Sequence, residues 1–217
     1  MIRNVELMRS NMIEQQIRPW NVLDMRVLDL LRKIKREQFV PTARQEMAFM
    51  DIEVPLGHDA FMWHPKMEAR VLQELKIKGS DQVLEVGSGS GYLTALLSRL
   101  AARVTSVEIV PELHAFAGKN LAAHHIDNVE LQLGDAAQGW SGSYDVIVLT
   151  GSEPVLSDAF QNSLKPGGRL FAVVGEAPLM QAMLVTSKES GRFVGEPLFE
   201  TNIAPLQHAP QPERFVF

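Results

Sequence analysis

Apolar positions recur along this chain with two different periods, and the change from one to the other divides it. Up to about residue 78 the spacing, where it is regular, is helical. Residues 4 to about 18 carry Val5, Met8 and Met12, and the pattern stops at Arg18-Pro19, since a residue preceding proline is biased away from the helical region. Leu23, Val27, Leu30, Leu31 and Ile34 form one face of a firmer helix that Asn21 or Asp24 can cap. Residues 42 to 64 show no clean period, which in a compact domain marks either a functional loop or a misread element. Pro65 suits a first helical position, and Met67, Val71, Leu72 and Leu75 give the next helix its apolar side.

From Gln82 onward short apolar runs alternate with helical stretches. The runs Val83–Val86, Val104–Ile109, Val129–Leu133, Val146–Thr150, Arg169–Val174 and Met183–Ser187 read as strands, with helices predicted at Tyr92–Ala102, Pro111–His124 and Val155–Leu164. Such alternation predicts an α/β fold: a doubly wound, mostly parallel sheet with helices on both faces, carrying an N-terminal helical extension. Lys165-Pro166-Gly167-Gly168 reads as a turn, Phe193-Val194 and Ile203–Leu206 as further short strands, and Gln207–Glu213 as an exposed tail. Phe215–Phe217 is an apolar end expected to pack against the core or a partner. The predicted organisation is one integrated domain in two parts, helices and a loop over residues 1–78 packed on a core over residues 79–217.

Composition narrows the chemistry more than the fold. The chain has 217 residues, 21 basic and 26 acidic side chains and a net charge of −5, with no basic run to suggest nucleic-acid binding. With no cysteine, thiolate catalysis, disulfides and cysteine-ligated metals are excluded. No membrane span is expected, and the polar start Met1–Glu6 gives no sign of a secretory signal, so the expected compartment is the cytoplasm.

The candidate chemistry gathers at the predicted strand ends, where doubly wound sheets bind ligands. Gly87-Ser88-Gly89-Ser90-Gly91 joins the first strand of the series to a helix, a turn that lets a ligand approach the backbone closely. Glu108 ends the next strand and can accept from both hydroxyls of a ribose. Asp135, in Gly134-Asp135-Ala136, can accept from the exocyclic amine of an adenine. Glu85 precedes the glycines, where a carboxylate would repel a pyrophosphate but attract an ammonium or sulfonium. His58, Asp59 and His64 lie close together but lack a metal-ligand pattern, so no metal site is expected.

In this arrangement Glu85-x-Gly87-x-Gly89-x-Gly91, Glu108 and Asp135 resemble the cofactor motifs of class I S-adenosylmethionine-dependent methyltransferases. Over almost its whole length the chain is similar to the protein-L-isoaspartate O-methyltransferase family. The features that carry this are Arg36–Pro41, Asp51–Gly57, Val83–Tyr92, Ser106–Val110, Gly134-Asp135 with Gly139-Trp140, Tyr144–Thr150, Leu164–Leu170 and Pro205-Leu206. The resemblance implies a Rossmann-like core binding S-adenosyl-L-methionine through Glu85, Gly87, Ser88, Gly89, Gly91, Glu108, Ile109, Asp135 and Ala136. It also implies methyl transfer to the side-chain carboxylate of an L-isoaspartyl residue in damaged protein. Such a carboxylate, with a reference pKa near ~3.9, needs no general base at neutral pH.

The chain departs from the family pattern in the loop expected to hold the acceptor. Where the family carries a Gly-x-Thr-Ile-Ser-x-Pro type motif, this chain reads Asp59-Ala60-Phe61-Met62-Trp63-His64-Pro65. Trp63 takes the serine slot, Phe61 the threonine slot, and Asn202 the place of a C-terminal arginine, leaving no assigned catalytic residue. Asp59, Phe61, Met62, Trp63, His64 and Asn202 are thus the acceptor-pocket candidates, with His64 a candidate base. The acceptor is expected to be an isoaspartyl protein or peptide, with a small molecule or another protein carboxylate as the alternative. A binding protein without catalysis is the third reading.

Overall fold

A computed structural model describes residues 5–188 and 191–212; the apolar end Phe215–Phe217 lies outside them. The core is a seven-stranded sheet. Its strands are β3 (Gln82–Val86), β4 (Arg103–Glu108), β5 (Val129–Leu133), β6 (Tyr144–Glu153), β7 (Leu164–Glu176), β8 (Leu179–Ser187) and β9 (Phe193–Glu200), numbered after a hairpin of β1 (Val54–Gly57) and β2 (Ala60–Met62). The spatial order is β5-β4-β3-β6-β7-β8-β9. The first five run parallel, and β8 and β9 return antiparallel. The run Met183–Ser187 is thus the end of an antiparallel strand, because only two residues separate β7 from β8 and a parallel return needs a long crossover. β9 ends the sheet, and its Pro197 sits at a register shift, where a missing N–H costs least.

The strand order reverses between β3 and β6, so their carboxyl ends open a crevice. Alternation along β3 decides what faces it. Val83 joins the apolar layer formed with Leu72, Leu97 and Phe171, whereas Leu84 and Val86 join the opposite layer with Leu149, Phe160 and Leu170.

The helices are α1 (Val5–Met12), α2 (Met25–Lys33), α3 (Pro65–Leu75), α4 (Tyr92–Leu100), α5 (Pro111–Ala123) and α6 (Asp158–Asn162). α1 continues into a π-helical turn, Ile13–Ile17, and a tight turn at Arg18–Trp20. That widening shifts the buried stripe from Val5, which is exposed, to Met12, Ile13 and Ile17. Asp24 caps α2 by accepting from the Arg26 N–H at 2.9 Å. α6 is a five-residue remnant of the helix predicted at 155–164. Lys165–Gly168 forms a bulge within β7, since Tyr144 pairs with Leu164 and Val146 with Arg169. Residues 203–206 do not form a strand. Around Pro205 they make an isolated bridge to Ser152, and they act as a strap across the strand ends.

Residues 42–64 hold a 3₁₀ turn at Thr42–Met47 and the antiparallel β1–β2 hairpin. The hairpin turns at His58 and Asp59, both at positive φ (54° and 57°). His and Asp are among the few non-glycine residues that accept this region. The N-terminal helices share one apolar layer with the sheet, from Met12 and Leu28 through Leu72 to Val146 and Ile203. Among the described residues no helix is long and apolar enough to cross a membrane.

Candidate active site

The crevice at the strand ends holds a cavity of about 410 Å³, within the roughly 300–1,000 Å³ of small-molecule sites. Its floor is the glycine loop. Gly87, Gly89 and Gly91 all have positive φ, and Gly91 begins α4. At Gly87 a Cβ would lie 2.1 Å from Thr150 Oγ1, and at Gly89 one would lie 3.1 Å from Leu56 Cδ1 on the overlying hairpin. The loop therefore leaves backbone bare where side chains would fill the space. Thr150, at the carboxyl end of β6, pins it from below by sharing its hydroxyl proton between the carbonyls of Val86 and Gly87 (2.8 and 2.9 Å).

Glu108 stands beside the loop, 4 % exposed. Its Oε2 accepts from Gly89 N–H at 2.8 Å and its Oε1 from Val110 N–H at 3.1 Å. Each oxygen keeps a further lone pair, so the carboxylate is oriented and still able to accept from a ligand. Ile109 and Val110 continue this wall, and a small annex at Ile109, Asp135 and Ala136 adds about 30 Å³. Asp135 is less free than expected. It accepts from Ala137 N–H and meets His208 Nδ1 at 2.7 Å, and these hydrogen bonds, the His208 one foremost, hold its carboxyl below the usual range. Part of the stretch expected to form an exposed tail folds back, with Ala209 buried and His208 against Asp135, while Gln211 and Pro212 are exposed and Glu213 lies outside the described residues.

Glu85 does not face the cavity. Alternation puts it on the Val83 side of β3 beneath α4, fully buried, where it accepts from Thr94 Oγ1 and Ser106 Oγ at 2.5 Å each. Burial pushes its carboxyl up to about 8, so at neutral pH it holds a proton and offers no charge to a sulfonium. Its role is to tie β3 to β4 and α4. Ser88 lines the cavity, but its hydroxyl bonds Ser106 at 2.6 Å. Gly91 packs on Ala117, away from the cavity wall.

The opposite wall comes from the hairpin. Leu56, His58, Asp59, Phe61, Met62 and Trp63 line it. Trp63 is also core: it is 5 % exposed, donates Nε1–H to the Thr150 carbonyl at 2.9 Å and meets Phe171 edge-on at 5.8 Å. Phe61 is 44 % exposed and forms the rim. Two acceptor-pocket candidates fall away. His64 points outside, to Asp51 at 3.2 Å, and Asn202 is exposed while its neighbour Ile203 turns inward. Behind the wall Arg36 is wholly buried. It donates to Glu68, to the Trp63 carbonyl at 2.6 Å and to the Ala48 carbonyl at 3.1 Å, fixing where the hairpin enters α3.

Among the parts of the wall that the sequence reading missed are Thr150, Glu53, Glu68 and the strap Ile203–Gln207. Thr150 could have been found as a polar residue at the strand end beside the topological switch. The strap could not, because its place depends on Ser152, which donates to Ala204 and accepts from Leu206 at 3.0 and 2.9 Å. Among the described residues no cluster of three or more potential metal ligands is present.

The residues at the loop end suit an adenosyl group: bare backbone at Gly87 and Gly89, an oriented carboxylate at Glu108, and apolar flanks at Ile109 and Ala136. Comparison with known proteins agrees. The model of the protein-L-isoaspartate(D-aspartate) O-methyltransferase family matches residues 7–210. A protein-L-isoaspartate O-methyltransferase of Methanoculleus marisnigri is 38% identical over 200 residues, covering 91% of this chain and 90% of that one. One from Rhodopseudomonas palustris is 34% identical over 201 residues, covering 91% and 82%. A Plasmodium falciparum crystal structure in complex with S-adenosyl-L-homocysteine has the same fold, with a TM-score of 0.79 at 22% identity over 94% of this chain and 98% of that one. Matched from its first helix to its strap, the chain belongs to the protein-L-isoaspartate(D-aspartate) O-methyltransferase family of S-adenosylmethionine-dependent methyltransferases.

Proposed function

We propose that this protein methylates the side-chain carboxylate of L-isoaspartyl residues in damaged proteins and peptides. The observation that carries this reading is the single cavity shared by the glycine loop with Glu108 and by the hairpin with Phe61 and Trp63. When bound, S-adenosylmethionine supplies a methyl group on an electrophilic sulfonium. In this reading Glu108 accepts from the ribose hydroxyls, held in place by the N–H groups of Gly89 and Val110. Ile109 and Ala136 flank the base. Asp135, shared with His208, accepts from its amine. The hairpin and the strap exclude water from the reacting groups. Orientation of this kind contributes roughly 7–11 kcal/mol to such reactions, so no His–Asp dyad is needed. The test is transfer of labelled methyl to a peptide with one isoaspartyl residue, with its aspartyl isomer as control. Label in the isoaspartyl peptide alone is expected. Equal label in both, or none, would refute the assignment.

A further inference from the structure

The acceptor end of the cavity has an electrostatic problem. An incoming carboxylate meets Glu53, Asp59, Glu68 and Glu108 in the wall, and among the described lining residues there is no lysine or arginine. Most donors that could hold it are already engaged. Trp63 Nε1–H is given to Thr150, the Thr150 hydroxyl to Val86 and Gly87, and the Ser88 hydroxyl to Ser106. Ser90 belongs to the glycine loop, and His58 at the hairpin tip and Gln207 on the strap are exposed. Glu68 is bound to Arg36, and Glu108 to two backbone N–H groups. Among the described acids of the wall that are buried or half-buried, only Glu53 is uncommitted. Glu53, at the foot of β1, is half-buried, and its carboxyl makes no hydrogen bond with another described residue.

Resting on the acceptor assignment above, we infer that Glu53 is the positioning residue for the acceptor: its carboxyl O–H donates a hydrogen bond to the isoaspartyl carboxylate. Two carboxyl groups that face one another hold one proton between them, because both cannot ionise at short range. The shared proton removes the repulsion and orients the acceptor oxygen. The surroundings favour retention of that proton. Burial raises the Glu53 carboxyl above its ordinary range, and His64 opposes this only in part. His64 is itself turned toward Asp51, which also binds Lys66 at 2.6 Å. On the cavity side Glu53 shares the wall with His58, Asp59, Glu108 and the Arg36-bound Glu68, so acids outnumber bases there as well.

The test uses the full chain with S-adenosylmethionine and a one-site isoaspartyl peptide, comparing wild type with Glu53→Ala and Glu53→Gln. In wild type kcat/KM falls as pH rises and Glu53 loses its proton. The amide of Glu53→Gln donates at every pH, so its profile is flat on the alkaline side and exceeds wild type there. Glu53→Ala raises KM about tenfold or more at acidic pH. Alanine and wild-type profiles that coincide overturn the inference and leave the methyltransferase reading intact. Peptide binding to the protein with S-adenosyl-L-homocysteine, followed by calorimetry at acidic and alkaline pH, separates the two claims. Binding that weakens with pH in wild type but not in Glu53→Gln supports the role of Glu53 even without turnover. Binding unaffected by either substitution refutes it.

Discussion

The two ends of the cavity are built differently. The glycine loop end rests on backbone: positive φ at three glycines, N–H groups aimed at Glu108, and parallel strands that stop together. The hairpin end rests on side chains, with Trp63, Phe61 and Glu53 mounted on a two-stranded ribbon that Arg36 fastens from behind. Backbone geometry of the first kind tolerates little change. An end made of side chains can change what it accepts while the fold stays as it is.

Substitutions at each end should break or sharpen this contrast. The largest effect on donor binding is expected at Gly87→Ala, which adds a Cβ 2.1 Å from Thr150 Oγ1 at a φ of 94°. Calorimetry should show affinity for S-adenosylmethionine reduced at least tenfold, a change of about 1.4 kcal/mol or more. At the other end, Trp63→Ser removes a core side chain along with its bond to Thr150. Denaturant unfolding should show a loss of about 3–5 kcal/mol, whereas Phe61→Thr at the exposed rim should cost no more than about 0.5 kcal/mol. Restoring a serine at position 63 is therefore a folding experiment before it is a specificity experiment.

A third prediction concerns the layer beneath the loop. Glu85 has its carboxyl raised from 4.5 to about 8 chiefly by burial, and Glu68 and Glu153 are raised in the same sense to about 7. Folding then takes up protons at neutral pH, so this stabilisation is complete below about 4.5 and is lost as pH rises toward 8. The melting temperature should fall across that window, and Glu85→Gln should make the decline shallower. The smallest effect on donor binding is expected at His208→Ala. Its pair with Asp135 is exposed, with side chains 68% and 44% accessible, so cofactor affinity should change no more than about fivefold.

How far the sequence could be read follows the same division. The parallel strands and α2 to α5 were legible because buried strands and amphipathic helices write distinct periods into the chain. The glycine loop and Glu108 were legible as parts of the cavity because alternate glycines mark a tight turn and the end of a parallel strand places its acid at the crevice. Glu85 was misplaced, since a period of two says that neighbouring side chains point oppositely but not which of them faces the crevice. The hairpin was hidden because its strands have four and three residues and its turn uses His58 and Asp59 in place of glycine. The expected contribution of His64 and Asn202 failed for a related reason. In short irregular segments one residue of rotation exchanges inside for outside, and there Trp63 and Ile203 face in.

The central claim is that the backbone-built end holds the methyl donor around Glu108. Titration of S-adenosylmethionine into wild type and Glu108→Ala tests it most directly. The account predicts saturable one-to-one binding to wild type, at least tenfold weaker in the variant while its fold is retained by circular dichroism. Equal binding to both proteins, or none to wild type, would contradict it.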